Sequence, residues 1–547
     1  MTVRPALRDA AFRWIADDPD PAARAELQAV LAKAIAGDPA AAEELADRMA
    51  GPLTFGTAGL RGPVRAGPNG MNEAVVVRTT AGLADWLRRN GHAGGLVVVG
   101  RDARHGSKQF HQAAAGVLAA AGFDVRVLGG PLPTPVTAFL VRRLGAVAGV
   151  QITASHNPPA DNGYKLYVQQ GAQIVPPTDR EIEAAIEAVA AAVSVPRSTN
   201  WSTVPAAEVA EYVARAAGLP RGTARELRVA ATPMHGVGAD TLASVLGAAG
   251  FTDVHFVAEQ REPDPDFPTV SFPNPEEPGA TDLLLELAST VDADLAVALD
   301  PDADRCALGV RERDGSWRML RGDETGVLLG EHVLSTVDGA GALVATTIVS
   351  SSLLSSVAAA HGASYDETLT GFKWLVRAGD GLGTGLVYAY EEALGHCVDP
   401  DFVRDKDGIS AAVLACDLAA TLKAEGRTLL DVLDELSVAH GVHLTDQVSL
   451  RVDDLSRIGS LMSELRADPP AQLGSVTVTA EDLRPRADVL ALRGAGVRVL
   501  IRPSGTEPKV KAYLEVVQPV SGDLGAAREQ ARARLAQLHG EISALLV

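Results

Sequence analysis

Short apolar runs recur along the chain, each followed by a polar turn and a stretch with helical spacing. Leu96 to Gly100 is such a run, with Arg101-Asp102-Ala103-Arg104 as its turn and a helix predicted around Ser107 to Ala121. Leu227 to Ala231 repeats the pattern, with the turn Thr232-Pro233-Met234-His235-Gly236 and a helix near 238–249. Leu343 to Val349 repeats it again, with Ser350-Ser351-Ser352 and a helix to Ala360. Strands alternating with helices of about ten to fifteen residues predict α/β units with mainly parallel strands. Ahead of them, Leu27, Val30, Leu31 and Ile35 fall at helical spacing in an Ala/Glu/Asp/Arg-rich segment, an N-terminal helical extension. The end of the chain differs. Leu444 to Val452 and Ser475 to Thr479 alternate like half-buried antiparallel strands, followed by a strand at Val497 to Ile501 and a helix at Ala526 to Leu546. The expected architecture is three tandem α/β domains with mixed sheets plus a C-terminal α+β domain. The boundaries are placed at 1–50 for the extension, 51–205, 206–325 and 326–443 for the α/β domains, and 444–547 for the last.

The chain has 547 residues, 47% of them hydrophobic, ample for several cores. The Pro-rich stretch Glu262 to Pro278 is too broken for a helix or central strand and is expected to be an ordered surface loop. A formal net charge of -20 with no basic stripe argues against nucleic acid and for a freely diffusing protein. It also means that any site for an anionic substrate must be basic against the global field. Cys306, Cys397 and Cys416 show no metal or disulfide spacing, as reduced thiols in a cytoplasmic protein would. The N-terminus has no apolar signal core, and no apolar run approaches ~18 residues, so neither secretion nor a membrane span is expected.

Candidate chemistry lies at strand ends. Asp300, Asp302 and Asp304 follow the apolar strand Leu295 to Leu299 at alternate positions, where side chains project alike. Carboxylates crowded this closely repel unless a cation neutralises them, and oxygen ligands suit Mg²⁺ or Ca²⁺. An EF-hand is excluded, because Arg305 stands where its glycine and Arg311 where its closing acid would be. Ser155, in Thr153-Ala154-Ser155-His156-Asn157-Pro158-Pro159, follows another buried-looking strand, Val147 to Ile152. There is no G-x-S-x-G elbow, and adjacent residues rarely face each other, so His156 is a poor candidate for its base. A hydroxyl near a divalent ion suits phosphoryl transfer instead, although a turn serine would read the same way. Arg502-Pro503-Ser504-Gly505-Thr506-Glu507-Pro508-Lys509 has the composition of an oxyanion cradle or of an ordinary loop. Glu391 and Glu392, past the strand Leu386 to Ala389, could hydrogen-bond vicinal sugar hydroxyls or open a solvated acidic helix. Lys373, beside Gly371 and Trp374, and Lys406 are surface lysines or parts of a shaped site.

Together these segments resemble the α-D-phosphohexomutase superfamily of phosphoglucomutases and phosphomannomutases. The matching motifs are TFGTAGLRG at 54–62, TASHNPPADNGYK at 153–165, DPDADR at 300–305, GFKW at 371–374, EEALGH at 391–396 and RPSGTEPKVKAY at 502–513. They run in the family's order over nearly the whole chain after residue 50. The resemblance implies that Ser155 is a phosphoserine and that Asp300, Asp302 and Asp304 hold Mg²⁺ together with an oxygen at Ser155. It makes Arg61, Lys165, His396 and Lys406 acid, base or electrostatic helpers. It places Thr57, His156, Arg305, Gly371 and Lys373 at the substrate, with Glu391 or Glu392 reading sugar hydroxyls. It makes Arg502, Ser504, Gly505, Thr506 and Lys509 the phosphate loop. The cations come from every quarter of the chain and would converge only if the domains close around one central cleft, a basic interior in an acidic shell.

The reaction so implied interconverts hexose 1-phosphate and hexose 6-phosphate through a bisphosphorylated sugar, with glucose 1,6-bisphosphate or the matching sugar bisphosphate as activator. The partner is a phosphorylated monosaccharide, and the protein is a monomer or homodimer. With Glu391 as the sugar-reading acid, Ala393 stands where many members have serine, whereas aligning on Gly395-His396 favours Glu392; EEALG, with TFGTAGLRG and the N-terminal extension, resembles the phosphoglucomutase-2-like branch, some of whose members act on phosphopentoses. A phosphopentomutase, a sugar phosphatase using the same serine, and a non-catalytic sugar-phosphate binder are the alternatives.

Overall fold

The N-terminal extension folds as three helices, Pro5–Asp17, Pro21–Ile35 and Pro39–Arg48. Two of them start at an Asp-Pro pair. The Asp20 carboxylate accepts the backbone N–H of Ala22, and the Asp38 carboxylate those of Ala40 and Ala41, while the proline that follows has no N–H to lose. Leu27, Leu31 and Leu45 close a small core between the helices. A computed structural model describes residues 3–56, 59–168, 170–452, 455–503 and 509–546. It divides into two units, Met1–Leu320 with Gly395–Thr421, and Arg321–Leu394 with Leu422–Val547.

The first unit contains two mixed sheets. In the first, the parallel strands Leu96–Arg101, Asp124–Val127 and Ala148–Ile152 form the centre, with the last of these antiparallel to Asp161–Val168. Leu60–Pro63 adds antiparallel at that edge. The second sheet repeats the plan. Arg228–Thr232 runs parallel to Asp253–Phe256 and Leu295–Leu299, and Leu295–Leu299 turns into the antiparallel Cys306–Arg311. In both sheets a buried apolar strand therefore runs straight into a turn before an antiparallel partner. Ser155 sits in the first turn and the three aspartates in the second. Each turn contains a residue with left-handed backbone, Ser155 at φ 54° and Ala303 at φ 56°. That conformation costs an L-residue roughly 1 kcal/mol and must be held by its surroundings.

The second unit has three parallel strands, Ser364–Thr368, Leu343–Thr347 and Leu386–Glu391, with the helices Gly322–Leu334 and Leu353–Ala360. Beside them lies an antiparallel sheet in the order Val442–Arg451, Lys509–Gln518, Val497–Pro503, Leu490–Gly494, Val476–Asp482, Gln472–Leu473. The long helix Leu524–Leu546 covers it through Leu535, Leu538 and Ile542. Ile348 and Val349 pack with Val489, Ala491 and Leu500, which seats this sheet on the end of the strand Leu343–Thr347. The fold is thus three α/β domains with mixed sheets and a C-terminal α+β domain. The stretch Glu262 to Pro278 carries no long element, as expected from its prolines. Cys306, Cys397 and Cys416 are free and buried. No described helix is long and apolar enough to cross a membrane.

Candidate active site

The Ser155 side chain is buried, and its hydroxyl donates to Asp300 Oδ2 at 2.7 Å. Its backbone N–H donates to Thr153 Oγ1 at 2.9 Å. The His156 Nδ1 lies 3.2 Å from the same hydroxyl, closer than expected for a sequence neighbour. The left-handed backbone at Ser155 brings the two side chains together. Burial, with Arg305 and Arg61 nearby, holds His156 well below the ordinary histidine value, so it faces the hydroxyl as a neutral ring.

The turn is fixed by a residue that sequence reasoning read only as punctuation. The Arg104 guanidinium donates to the carbonyl oxygens of Ser155 and Asn157 at 2.6 Å each, of Pro158 at 2.8 Å and of Asp161 at 3.2 Å. Asp102 lies 3.5 Å behind it, and the Phe267 ring packs 4.9 Å from its centre. One planar group with several donors thus satisfies four carbonyl oxygens of a half-buried loop. Arg104→Met is expected to lower apparent stability by about 3 kcal/mol or more, because it leaves those carbonyls without their donor and the buried Asp102 carboxylate without its neighbouring cation. Urea unfolding measures this, with kcat falling in parallel. An unchanged unfolding midpoint would remove Arg104 from this role.

Asp300, Asp302 and Asp304 are buried, with ligand oxygens all within 4.8 Å of one another. Lys165, fully buried, donates to Asp302 Oδ2 at 2.6 Å and to Asp304 Oδ2 at 2.5 Å. Thr134 donates to Asp302 Oδ2 as well, and the Lys406 ammonium lies 3.5 Å from Asp304. Burial and the two neighbouring carboxylates push Asp300 well above the usual carboxylate value. Burial would do the same to Asp304, but Lys165, Lys406 and Arg305 outweigh it and hold that group below. Lys165, penalised by burial, is raised by Asp302 and Asp304. Asp302 Oδ1 and Asp304 Oδ1 remain buried without a hydrogen-bond partner among the described residues. Buried carboxylate oxygens rarely go unsatisfied, and two of them beside Asp300 fit a hard cation.

Lys406 is delivered by a clamp from elsewhere in the unit. Its neighbour Asp405 accepts the Tyr167 hydroxyl at 2.8 Å and the Gln173 amide at 2.7 Å, and Asp407 accepts the Tyr212 hydroxyl at 2.9 Å. Tyr167 stands two residues beyond Lys165 on the same strand, so one strand face aims one lysine and anchors the other. Gly408 is required by close approach, since a Cβ there would stand 2.4 Å from the Arg305 carbonyl oxygen. His396 is buried, and burial lowers it to about 4, so at neutral pH it is an uncharged hydrogen-bonding group. Arg61 donates to Asn157 Oδ1 at 3.0 Å, and the Arg305 guanidinium lies 4.0 Å from Asp304.

The first unit therefore brings together Ser155, His156, Arg61, Lys165, the three aspartates, Arg305 and Lys406. His396 belongs to the same unit, while Gly371, Lys373, Glu391, Glu392, Arg502 and Lys509 lie in the second. Glu391 is the last residue of the strand Leu386–Glu391 rather than the start of a helix, and the chain turns at Leu394, φ 64°. Glu392 Oε2 accepts the hydroxyls of Ser350 at 2.9 Å and Thr347 at 3.1 Å. Gly371, φ 113°, opens the short helix Phe372–Leu375 that carries Lys373. Arg502 and Lys509 sit on adjacent antiparallel strands that face each other across the register Arg502↔Lys511 and Pro503↔Val510. Thr57, Ser504, Gly505 and Thr506 lie outside the described residues.

This frame of three α/β domains, a serine turn, a carboxylate cluster and a C-terminal sheet is that of a sugar-phosphate isomerase, as comparison with known proteins shows. Family models for the phosphoglucomutase/phosphomannomutase alpha/beta/alpha domains I, II and III match residues 52–192, 210–315 and 321–438, and the model for the C-terminal domain matches 451–528. A probable phosphomannomutase of Haemophilus influenzae is 42% identical over 456 residues, which span 82% of this chain and 93% of that protein. A mouse phosphopentomutase is 33% identical over 537 residues, 87% of this chain and 86% of the relative. The crystal structure of a phosphoglucomutase/phosphomannomutase family protein from Burkholderia thailandensis shares the fold with a TM-score of 0.67 at 22% identity, over 88% of this chain and 97% of that one. The chain belongs to the α-D-phosphohexomutase superfamily. It is an isomerase of the intramolecular phosphotransferase type, with phosphohexomutase-type activity on a phosphosugar.

Proposed function

We propose that the protein interconverts hexose 1-phosphate and hexose 6-phosphate, glucose foremost and mannose also, by way of phosphoserine at Ser155. The observation that carries this is the 2.7 Å contact between the Ser155 hydroxyl and Asp300, within a cluster whose Asp302 and Asp304 each keep an unsatisfied buried oxygen. A phosphoserine there adds about -1.5 to -2 charges beside three carboxylates. Only a cation makes that tolerable, and the cluster supplies oxygen ligands alone. Asp300, Asp302 and Asp304 would hold Mg²⁺, which supplies charge neutralisation to the phosphoryl group when bound.

The chain's own residues do the rest. The phosphoserine P–O bond breaks as a sugar hydroxyl oxygen bonds to phosphorus, and that hydroxyl's proton leaves to a base of the site. The resulting sugar bisphosphate turns, its other P–O bond breaks as that phosphoryl bonds to the Ser155 oxygen, and the base returns the proton to the sugar oxygen so released. Lys165 keeps two carboxylates ionised and in place throughout, Arg104 holds the serine turn, and Arg61 and Lys406 add positive charge at its rim. Glu391 reads the sugar hydroxyls and the 502–509 loop the distal phosphate. A phosphopentomutase running the same chemistry is the second reading, favoured by the phosphopentomutase relative that matches most of the chain.

Purified protein with Mg²⁺, glucose 1-phosphate and a trace of glucose 1,6-bisphosphate is expected to form glucose 6-phosphate without comparable free phosphate. Activity is expected to vanish in chelator and return with Mg²⁺. Dominant phosphate release would make it a phosphatase, and a far higher kcat/KM for ribose 1-phosphate would make it a pentomutase.

A further inference from the structure

The Pro-rich stretch Glu262 to Pro278 has no part in the roles above, yet it reaches both turns of the candidate active site. Phe267 is buried, and its ring lies 4.9 Å from the guanidinium of Arg104, the residue that holds the serine turn. Nearby, the Thr269 hydroxyl meets His235 Nε2 at 2.9 Å and accepts the Gln260 amide at 2.8 Å. The His235 carbonyl accepts the Asp264 N–H at 3.0 Å, and its N–H donates to the Gln260 carbonyl at 2.9 Å. His235 is itself buried, in the turn after the strand Arg228–Thr232, and that turn is pressed on the aspartate turn. The Val237 N–H donates to the Pro301 carbonyl at 2.8 Å, and a Cβ on Gly236 would stand 2.3 Å from the Pro301 Cα. Met234, His235 and Phe267 all have left-handed backbone, at φ 50°, 59° and 47°. Each such residue costs about 1 kcal/mol or more and persists only where its surroundings over-determine it.

The serine turn and the aspartate turn follow strands of different sheets. One direct bond between them is that of the Ser155 hydroxyl to Asp300. It depends on a proton that phosphoserine lacks. Thr134 and Lys165 also bind the aspartates, but from a helix start and a strand outside the serine turn. The segment 264–269 reaches both turns, and none of its contacts uses the proton that phosphoryl transfer removes. Pro265 and Pro268 restrict its backbone, and the Phe267 N–H closes it on the Asp264 carbonyl at 3.2 Å, so displacement at one end carries to the other.

We propose that 264–269 is a strap that sets the serine turn against the aspartate turn in both forms of Ser155, with Phe267 and Thr269 as positioning residues. Phe267 acts through Arg104 on the Ser155 and Asn157 carbonyls. Thr269 acts through His235 and its turn on Pro301, the neighbour of Asp300. This rests on the reading of Ser155 as phosphoryl carrier and of the aspartates as ligands of the cation given above.

The test measures amide hydrogen exchange in the full-length enzyme, in chelator, for wild type, Phe267→Leu, Thr269→Val and Thr269→Ser. The N–H groups of Asn157 and Asp161 in one turn, and of Ala303 and Arg305 in the other, are bonded within their own turns and report on them. Phe267→Leu loses the ring face on Arg104, and Thr269→Val loses only a hydroxyl. Each is expected to speed exchange by about fivefold or more in both turns while the strands Ala148–Ile152 and Leu295–Leu299 stay unchanged. The crossed effects decide, namely the aspartate turn in Phe267→Leu and the serine turn in Thr269→Val. Thr269→Ser restores the hydroxyl and is expected to exchange as the wild type does. With Mg²⁺, kcat is expected to fall about tenfold in Phe267→Leu and Thr269→Val with KM within about twofold, since the strap aims the transferring groups and does not touch the sugar. Faster exchange confined to the adjoining turn, faster exchange spread equally over the strands, or an unchanged kcat would each overturn the proposal. If Phe267→Leu does not fold, the serine turn in Thr269→Val decides alone. The exchange pattern needs no turnover, so a wild type that isomerises neither glucose 1-phosphate nor ribose 1-phosphate would overturn the functional reading separately.

Discussion

Ser155→Ala is expected to lower mutase kcat by about 10⁴-fold or more while leaving the fold intact. The magnitude follows from the role, since removing the atom that carries the transferred group removes the reaction path and not one of its helpers. The fold survives because the hydroxyl contributes little to the turn. Arg104 binds the backbone carbonyls around it, and the Thr153 hydroxyl binds the Ser155 N–H, none of which needs the side chain. Alanine also removes the donor to Asp300 but replaces it with nothing charged. Coupled assay of glucose 6-phosphate formation gives the rate, and intact mass gives the phosphate, about 80 Da on a fraction of wild-type molecules and absent from the variant. Retained turnover with phosphate still on the protein would place the carrier elsewhere.

The two halves of that prediction differ in how they could be read from sequence. Ser155 and the aspartates were legible because each depends on a few consecutive residues, an apolar strand that ends in a polar turn. Alternation alone placed Asp300, Asp302 and Asp304 on one side. What holds those turns was not legible. Arg104 lies in a turn of its own that looks like ordinary punctuation, and its four carbonyl partners are about 50 residues away. Lys406 depends on Tyr167 and Tyr212, more than 190 residues upstream. The partners of Glu392 were not legible from its motif either, because the Ser350 and Thr347 hydroxyls it accepts lie more than 40 residues upstream. The clamped segment is also separated in sequence from its neighbours, since Gly395–Thr421 packs with Met1–Leu320. Chain-local chemistry was therefore readable, and the long-range bonds that aim it were not.

The largest effect on stability is expected from Lys165→Met. The side chain is 0% exposed, as are Asp302 and Asp304, so the ammonium is the main compensation for two buried charges. Methionine fills much of the same volume but leaves the carboxylates to each other and to Lys406 at 3.5 Å. Breaking one side of a buried ion cluster costs about 3–5 kcal/mol. For a unit of this size that lowers the first thermal transition by on the order of 5–10 °C. The pH dependence has a definite sign. In the wild type Asp302 and Asp304 are held below the usual carboxylate value, so their contribution is present above that value and is lost only as pH falls through the depressed one. In the variant, burial is no longer outweighed and the same groups protonate more easily. Measured in chelator, the difference in Tm between wild type and variant is therefore expected to be largest near pH 7 and to shrink toward pH 5. Mg²⁺ is expected to raise Tm more in the variant than in the wild type, because the cation then meets a more negative cluster and binding to the folded state stabilises it by mass action. Activity is not expected to return with the metal, since Mg²⁺ restores charge but not the ammonium that orients both carboxylates. Equal Tm values for the two proteins across this pH range would show that Lys165 does not hold the cluster.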